Sequence, residues 1–135
     1  MEYEGGFTKI RMKMRNQNDL NKYVNLRNRI YDCIGEDNFY KFESGVNLPM
    51  LNNDWVQVKI LRETLASMNK RVYNAYDTNG FTLITQEELG QYISDLYGFL
   101  SKEDIKTLKE DIKSLEELYN TFDWENDTLV FSYCC

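Results

Sequence analysis

Histidine is absent from this chain of 135 residues, and with it the side chain most used for proton transfer near neutral pH. Its absence excludes histidine acid–base catalysis and any metal centre that needs an imidazole ligand. No nucleophile-elbow motif occurs, and Gly5-Gly6 is too short to form a phosphate-cradling loop. These absences predict a protein that is not an enzyme.

Cysteine is scarce, and its three positions do not form a disulfide framework. Cys33 stands alone, and the neighbours Cys134 and Cys135 are too close together for one closed zinc site. An odd count, in a chain whose start lacks a signal-peptide pattern, favours a reducing compartment. No apolar run approaches membrane-spanning length. We therefore expect a cytoplasmic protein without a membrane partner.

What the chain does contain is enough apolar material for a core. Hydrophobic residues make up 42% and aromatic residues 14%, which is too apolar for a disordered chain. The length fits one domain by the usual size range. Residues 1–135 are therefore expected to form a single domain.

The stretch from Val72 to Leu89 organises the predicted fold. Asp77–Gly80 has turn chemistry, and Phe81–Ile84 reads as a short strand. Thr85 and Glu88 then match a capping box, which marks the start of the next helix.

Apolar spacing predicts an α+β fold of about four helices with a small, mostly antiparallel sheet of three or four strands. The helices are Asp19–Ile34 ending at Gly35, Trp55–Tyr76 capped by Asp54, one after Thr85, and one from Ser101 to Phe122. The strands are Lys9–Arg15, Phe81–Ile84 and Thr128–Tyr133, with Phe39–Phe42 as a fourth candidate. The first and last strands are expected to pair. The alternative is that the helix from Trp55 forms one half of a dimer interface, which would make the protein a homodimer.

The two halves of the sequence differ in net charge. Residues 1–71 hold 12 Lys/Arg and 9 Asp/Glu, whereas residues 72–135 hold 4 Lys and 13 Asp/Glu. Such an acidic half disfavours nucleic acid as its partner and favours a basic protein surface. The alternative is a solvated acidic face that keeps the protein soluble.

The small size, the acidic second half, the abundant tyrosine and the lack of histidine together resemble phage-encoded inhibitors of host defence. Anti-CRISPR and anti-restriction proteins are examples. The likeness is one of type, and it implies an acidic helical face that contacts a basic, nucleic-acid-binding surface of a host protein. The predicted partner-binding residues are Glu103, Glu110, Asp111, Glu116, Glu117, Asp123 and Glu125.

The first strand offers an alternative site. Alternation places Lys9, Arg11, Lys13 and Arg15 on the face opposite to Ile10, Met12 and Met14. This row of cations predicts either a nucleic-acid or nucleotide contact, or an edge strand whose charges prevent self-association.

A second alternative is a calcium site, because residues 77–88 resemble an EF-hand loop with a helix on either side. Asp77, Asn79, Thr85 and Glu88 match its first, third, ninth and twelfth positions. Phe81 departs from the pattern at the fifth position, where the family has an oxygen ligand, and Thr82 departs at the sixth, where it has glycine. We expect no cofactor; the resemblance alone implies Ca²⁺, and the competing interpretation is an Asx turn followed by a capping box.

Overall fold

A computed structural model describes residues 4–45, 48–51, 55–74, 76–77 and 80–134 of the chain. Within them, six helices and five strands follow one another along the sequence. They are β1 (Glu4–Ile10), α1 (Gln17–Ile34), α2 (Glu36–Phe42), β2 (Glu43–Ser44), β3 (Met50–Leu51), α3 (Trp55–Ser67), β4 (Thr82–Ile84), α4 (Gln86–Phe99), α5 (Lys102–Thr107), α6 (Lys109–Thr121) and β5 (Thr128–Cys134).

The sheet is built around the pairing of β1 with β5. These strands run antiparallel over seven residue pairs, from Glu4 with Cys134 to Ile10 with Thr128. β4 flanks β5, while β2 and β3 share the other edge of β1, so that five strands occupy four positions. Every strand pair is antiparallel. The predicted α+β class, the mostly antiparallel sheet and the pairing of first and last strands are confirmed.

Two cores lie on opposite faces of the sheet, because successive side chains of a strand alternate between faces. Phe7, Leu129 and Phe131 pack with apolar residues of α3, α4 and α6. Ile10 and Val130 face the other way and pack with residues of α1. The acidic helices and α1 are thus separated by the sheet.

The first strand lies five residues earlier in the chain than predicted, so the four cations do not form a row along it. The strand ends at Ile10, where the Arg11 N–H donates to the Phe42 carbonyl at 2.9 Å. Met12 is 44% exposed although Ile10 and Met14 are buried, so the alternation fails at Met12. The Thr128 hydroxyl holds this bend, since it donates to the Met12 carbonyl and accepts from the Met14 N–H.

Phe39–Phe42 lies in helix α2 and is not a strand. The predicted helix over Asp19–Ile34 is confirmed as α1, which begins two residues earlier and ends at Gly35 with φ of 82°. The chain then starts a new helix at once, and the Phe39 N–H donates to the Gly35 carbonyl. Phe39 is buried and its ring meets Tyr31 edge to face.

The predicted helix Trp55–Tyr76 is too long, since α3 ends at Ser67. Asn69 adopts a φ of 61°, and the N–H of Lys70 donates to the Leu65 carbonyl at 2.9 Å. Together with the bond from the Asn69 N–H to the Ala66 carbonyl, this forms a Schellman motif, which ends a helix. The predicted cap Asp54 lies outside the described residues.

The predicted last helix is two helices, α5 and α6, because the backbone leaves helical geometry at Leu108. This division and α2 explain why the described residues hold six helices where about four were predicted. The predicted capping box of Thr85 with Glu88 is confirmed, and Ser101, where the last helix was predicted to begin, is the N-cap of α5. In the described part of the chain, none of the helices is both long and apolar enough to cross a membrane.

Candidate functional site

Helices α4, α5 and α6 and the turn before β5 form an acidic layer, which we define as residues 85–127. The layer holds 12 Asp/Glu and four Lys, a net charge of −8. Eleven of the 12 carboxylates are exposed or half-buried, and Glu88 alone is buried. Among the described residues, Glu88 is also the only carboxylate of the layer that forms a salt bridge, and its partner is Lys70. The remaining carboxylates therefore lie at or near the surface without a salt bridge to any described residue.

The four predicted partner-binding residues of α6 do not form one stripe. Glu110 and Glu117 are exposed and, seven residues apart, share the same side of the helix. Asp111 instead accepts a hydrogen bond from Gln57 of α3 at 3.2 Å, and Glu116 accepts one from the Tyr97 hydroxyl of α4. Two carboxylates thus face outward, and two lie at the seams with neighbouring helices.

The other predicted partner-binding residues of the layer lie in α5 and in the turn before β5. Glu103 is exposed in the first turn of α5. Asp123 and Glu125 are exposed in the turn before β5. Hydrogen bonds from the Asn126 side chain and backbone lower the pKa of Asp123. The Asp123 carboxylate is therefore held in its charged form.

The four cations predicted for the first strand are not aligned. Only Lys9 belongs to β1, and the Lys13 ammonium donates to the Trp124 carbonyl at 2.7 Å. Lys13 therefore lies against the turn that carries Asp123 and Glu125. The alternative nucleic-acid surface of Lys9, Arg11, Lys13 and Arg15 is not a continuous row.

The described residues of the EF-hand-like segment bind each other and nearby cations. The Glu88 carboxylate accepts from Lys70 at 2.7 Å and from the Thr85 N–H at 2.9 Å. Asp77 accepts from Arg71 at 3.3 Å. Asn79 lies outside the described residues, and among those described no three His, Cys, Asp or Glu side chains converge on one point. Calcium binding by Asp77, Asn79, Thr85 and Glu88 stays a prediction.

A buried ionic cluster on the opposite side of the sheet was missed from the sequence. Glu43 is 6% exposed, and its carboxylate accepts from the Tyr23 hydroxyl at 2.7 Å and from the Arg27 guanidinium. Burial and this carboxylate raise the pKa of Tyr23. The cluster joins α1 to β2, which indicates a structural role.

A cleft beside α3 was also missed. Its cavity of about 680 Å³ is bounded by α3, the segment after it and β5. We call it the α3 cleft, and its lining includes four cations: Lys59, Arg62, Lys70 and Arg71. Lys59 and Arg62, three residues apart and outside the apolar stripe of the helix, were the available signal.

Comparison of the chain with protein-family models, with curated proteins and with solved structures gives no match.

Proposed function

We propose that this chain is a non-enzymatic protein-interaction module whose acidic layer binds a basic surface on another protein. The supporting observation is the uncompensated charge of the layer, which has 12 carboxylates, four lysines and one salt bridge among the described residues. Opposite charges on a partner would steer the encounter and fix the register of the complex.

Glu110 and Glu117 are the proposed centre of the contact, because they face solvent on the same side of α6. Two aromatic side chains at the end of α4 supply apolar area: Tyr97 is 48% exposed and Phe99 is 68% exposed. The Tyr97 hydroxyl is fixed by Glu116, so this ring is oriented before binding. Aromatic anchors contribute strongly to many protein interfaces.

The proposed partner is a host defence protein that processes nucleic acid, such as a CRISPR or restriction nuclease. Surfaces that bind DNA are rich in Lys and Arg, which contact the phosphates. An acidic protein surface competes with the DNA for the same cations. The chain would then act as an inhibitor of the anti-CRISPR or anti-restriction type. The opposite side of the molecule differs in charge, since residues 4–45 hold eight Lys/Arg and six Asp/Glu.

The test uses the immobilised chain and a panel of purified CRISPR and restriction nucleases. We expect at least one nuclease to bind, to be released by short duplex DNA, and to lose DNA cleavage when the chain is added. Binding that duplex DNA does not displace would contradict competition for the nucleic-acid surface. If no nuclease of the panel binds or is inhibited, the inhibitor proposal fails for those classes.

A further inference from the structure

The α3 cleft carries a charge of opposite sign to the whole protein. The chain has a net charge of −6, yet the lining has four cations against two carboxylates, Glu63 and Asp77. Tyr133 and Val72 add apolar surface to the lining. The cleft adjoins the acidic layer at Lys70, which pairs with Glu88, and its cavity of about 680 Å³ is within the size range of small-molecule sites.

The local sequence explains how the cations meet. Lys59, Arg62 and Ala66 follow one another at spacings of three and four, so they line one side of α3. Ala66 is small and leaves room beside Arg62. The Schellman turn at Asn69 then reverses the chain and brings Lys70 and Arg71 to the same cleft.

Three of these cations already have an anionic partner. Lys70 pairs with Glu88 at 2.7 Å, and Arg71 pairs with Asp77 at 3.3 Å. Lys59 lies 3.9 Å from Glu63 on an exposed turn of the helix. The charge that stays available in the cleft therefore belongs to Arg62.

Arg62 has no hydrogen bond or ion pair with any residue that the structure describes, but its position is defined. Its guanidinium carbon lies 5.2 Å from the centroid of the Tyr133 ring, and that ring is buried in the core. This cation–π contact uses none of the N–H groups as hydrogen-bond donors to the described residues, so they stay available for a ligand. A guanidinium fixed in this way is suited to bidentate binding of phosphate.

We propose that the α3 cleft binds a phosphorylated small molecule of nucleotide size, with Arg62 as the anchor of the phosphate. The volume exceeds what a bare phosphate fills, and it fits a ligand with a further ring or sugar. Glu63 and Asp77 can accept hydrogen bonds from sugar hydroxyls, which adds a preference for a nucleotide over inorganic phosphate. This site is independent of the proposed inhibitor function.

Isothermal titration calorimetry with adenosine monophosphate and with inorganic phosphate tests the site in the full chain. We expect the nucleotide to bind more tightly than phosphate. Arg62→Gln should weaken nucleotide binding by at least about tenfold, as expected for loss of a charge-assisted bidentate pair. Arg62→Lys should bind the nucleotide little better than Arg62→Gln, because lysine keeps the charge but lacks the planar guanidinium group.

Arg29→Gln is the matched control, since Arg29 is exposed on α1, on the opposite side of the sheet. It should leave nucleotide affinity unchanged, and thermal melts should show that each variant is folded. Absence of binding at millimolar nucleotide, or equal losses in Arg62→Gln and Arg29→Gln, would overturn the proposal. Tighter, Arg62-dependent binding of a short single-stranded oligonucleotide would also overturn it, in favour of a nucleic-acid ligand.

Discussion

The side-chain amide of Gln17 forms hydrogen bonds with the backbone at Leu83 and Phe81, in the way that the backbone of a neighbouring strand would. The Gln17 Oε1 accepts from the Leu83 N–H at 2.9 Å, and its Nε2 donates to the Phe81 carbonyl at 2.8 Å. Leu83 lies in β4, the strand next to β5 at the edge of the sheet. The first residue of α1 thus covers polar backbone groups that an edge strand would otherwise leave open to association.

Gln17→Met should destabilise the protein, because it removes the bonds to Leu83 and Phe81, together with a bond to Asn21, and keeps the length of the side chain. We expect a loss of about 1–3 kcal/mol in the free energy of unfolding, measured by urea titration. Gln91→Met is the control, because Gln91 makes an exposed bond to Asp95 within α4. Equal stability of the two variants would show that the Gln17 pairing contributes nothing.

Arg27→Met should also destabilise the fold, because it leaves the buried Glu43 carboxylate without its cation. The expected loss is about 2–3 kcal/mol, below the range for fully buried pairs because a third of the Arg27 side chain is exposed. The double variant Arg27→Met/Glu43→Gln should recover part of the loss, since no buried charge is left unpaired. A double variant less stable than Arg27→Met would contradict this interpretation.

Tyr23 should make stability sensitive to alkaline pH. Burial and the hydrogen bond to Glu43 raise the pKa of Tyr23 in the folded state above the usual value of 10.0. A group with a raised folded pKa contributes its full stability below the unfolded pKa, and that contribution is lost as the pH rises towards the folded pKa. The free energy of unfolding should therefore decline above about pH 10. Tyr23→Phe should make this decline shallower, whereas Tyr40→Phe, at an exposed position, should leave it unchanged.

Calcium should leave the melting temperature of the protein unchanged at millimolar concentration. Lys70 already holds the Glu88 carboxylate, so a calcium ion would have to displace a partly buried ammonium group. Lys70→Met should lower the melting temperature without calcium, because Glu88 is only 6% exposed and loses its cation. A calcium-dependent rise that Glu88→Gln removes would instead support the EF-hand hypothesis.

Local sequence signals predicted the elements that depend on local chemistry. Gly35 ends α1, Ser101 caps α5, and Thr85 with Glu88 forms the capping box, as these residue types favour. The pairing of β1 with β5 was also predicted. The position of the first strand was less accurate, since β1 shares only Lys9 and Ile10 with the predicted segment.

The predicted strand and helix bounds were wrong where a distant side chain or an unrecognised turn overrides the apolar spacing of the sequence. The alternation from Lys9 to Arg15 fails because the Thr128 hydroxyl bends the chain at Met12, and Thr128 is more than 100 residues away. The apolar spacing after Ser67 suggested a longer α3, but Asn69 in the left-handed region ends it. Arg62 belongs to a cleft only because β5 places Tyr133 beneath it, and spacing along α3 alone does not reveal that neighbour.

The central claim is that the acidic layer recognises a basic partner, and Glu110 and Glu117 carry it most directly. The measurement is the affinity of Glu110→Lys/Glu117→Lys for a captured nuclease, by surface plasmon resonance across a range of salt concentrations. Asp32→Lys/Asp37→Lys is the matched control, because it reverses two exposed charges on α1 and α2, across the sheet. The account predicts a loss of at least about tenfold and a weaker salt dependence for the α6 variant alone. Unchanged affinity of that variant, or an equal loss in the control, would contradict it.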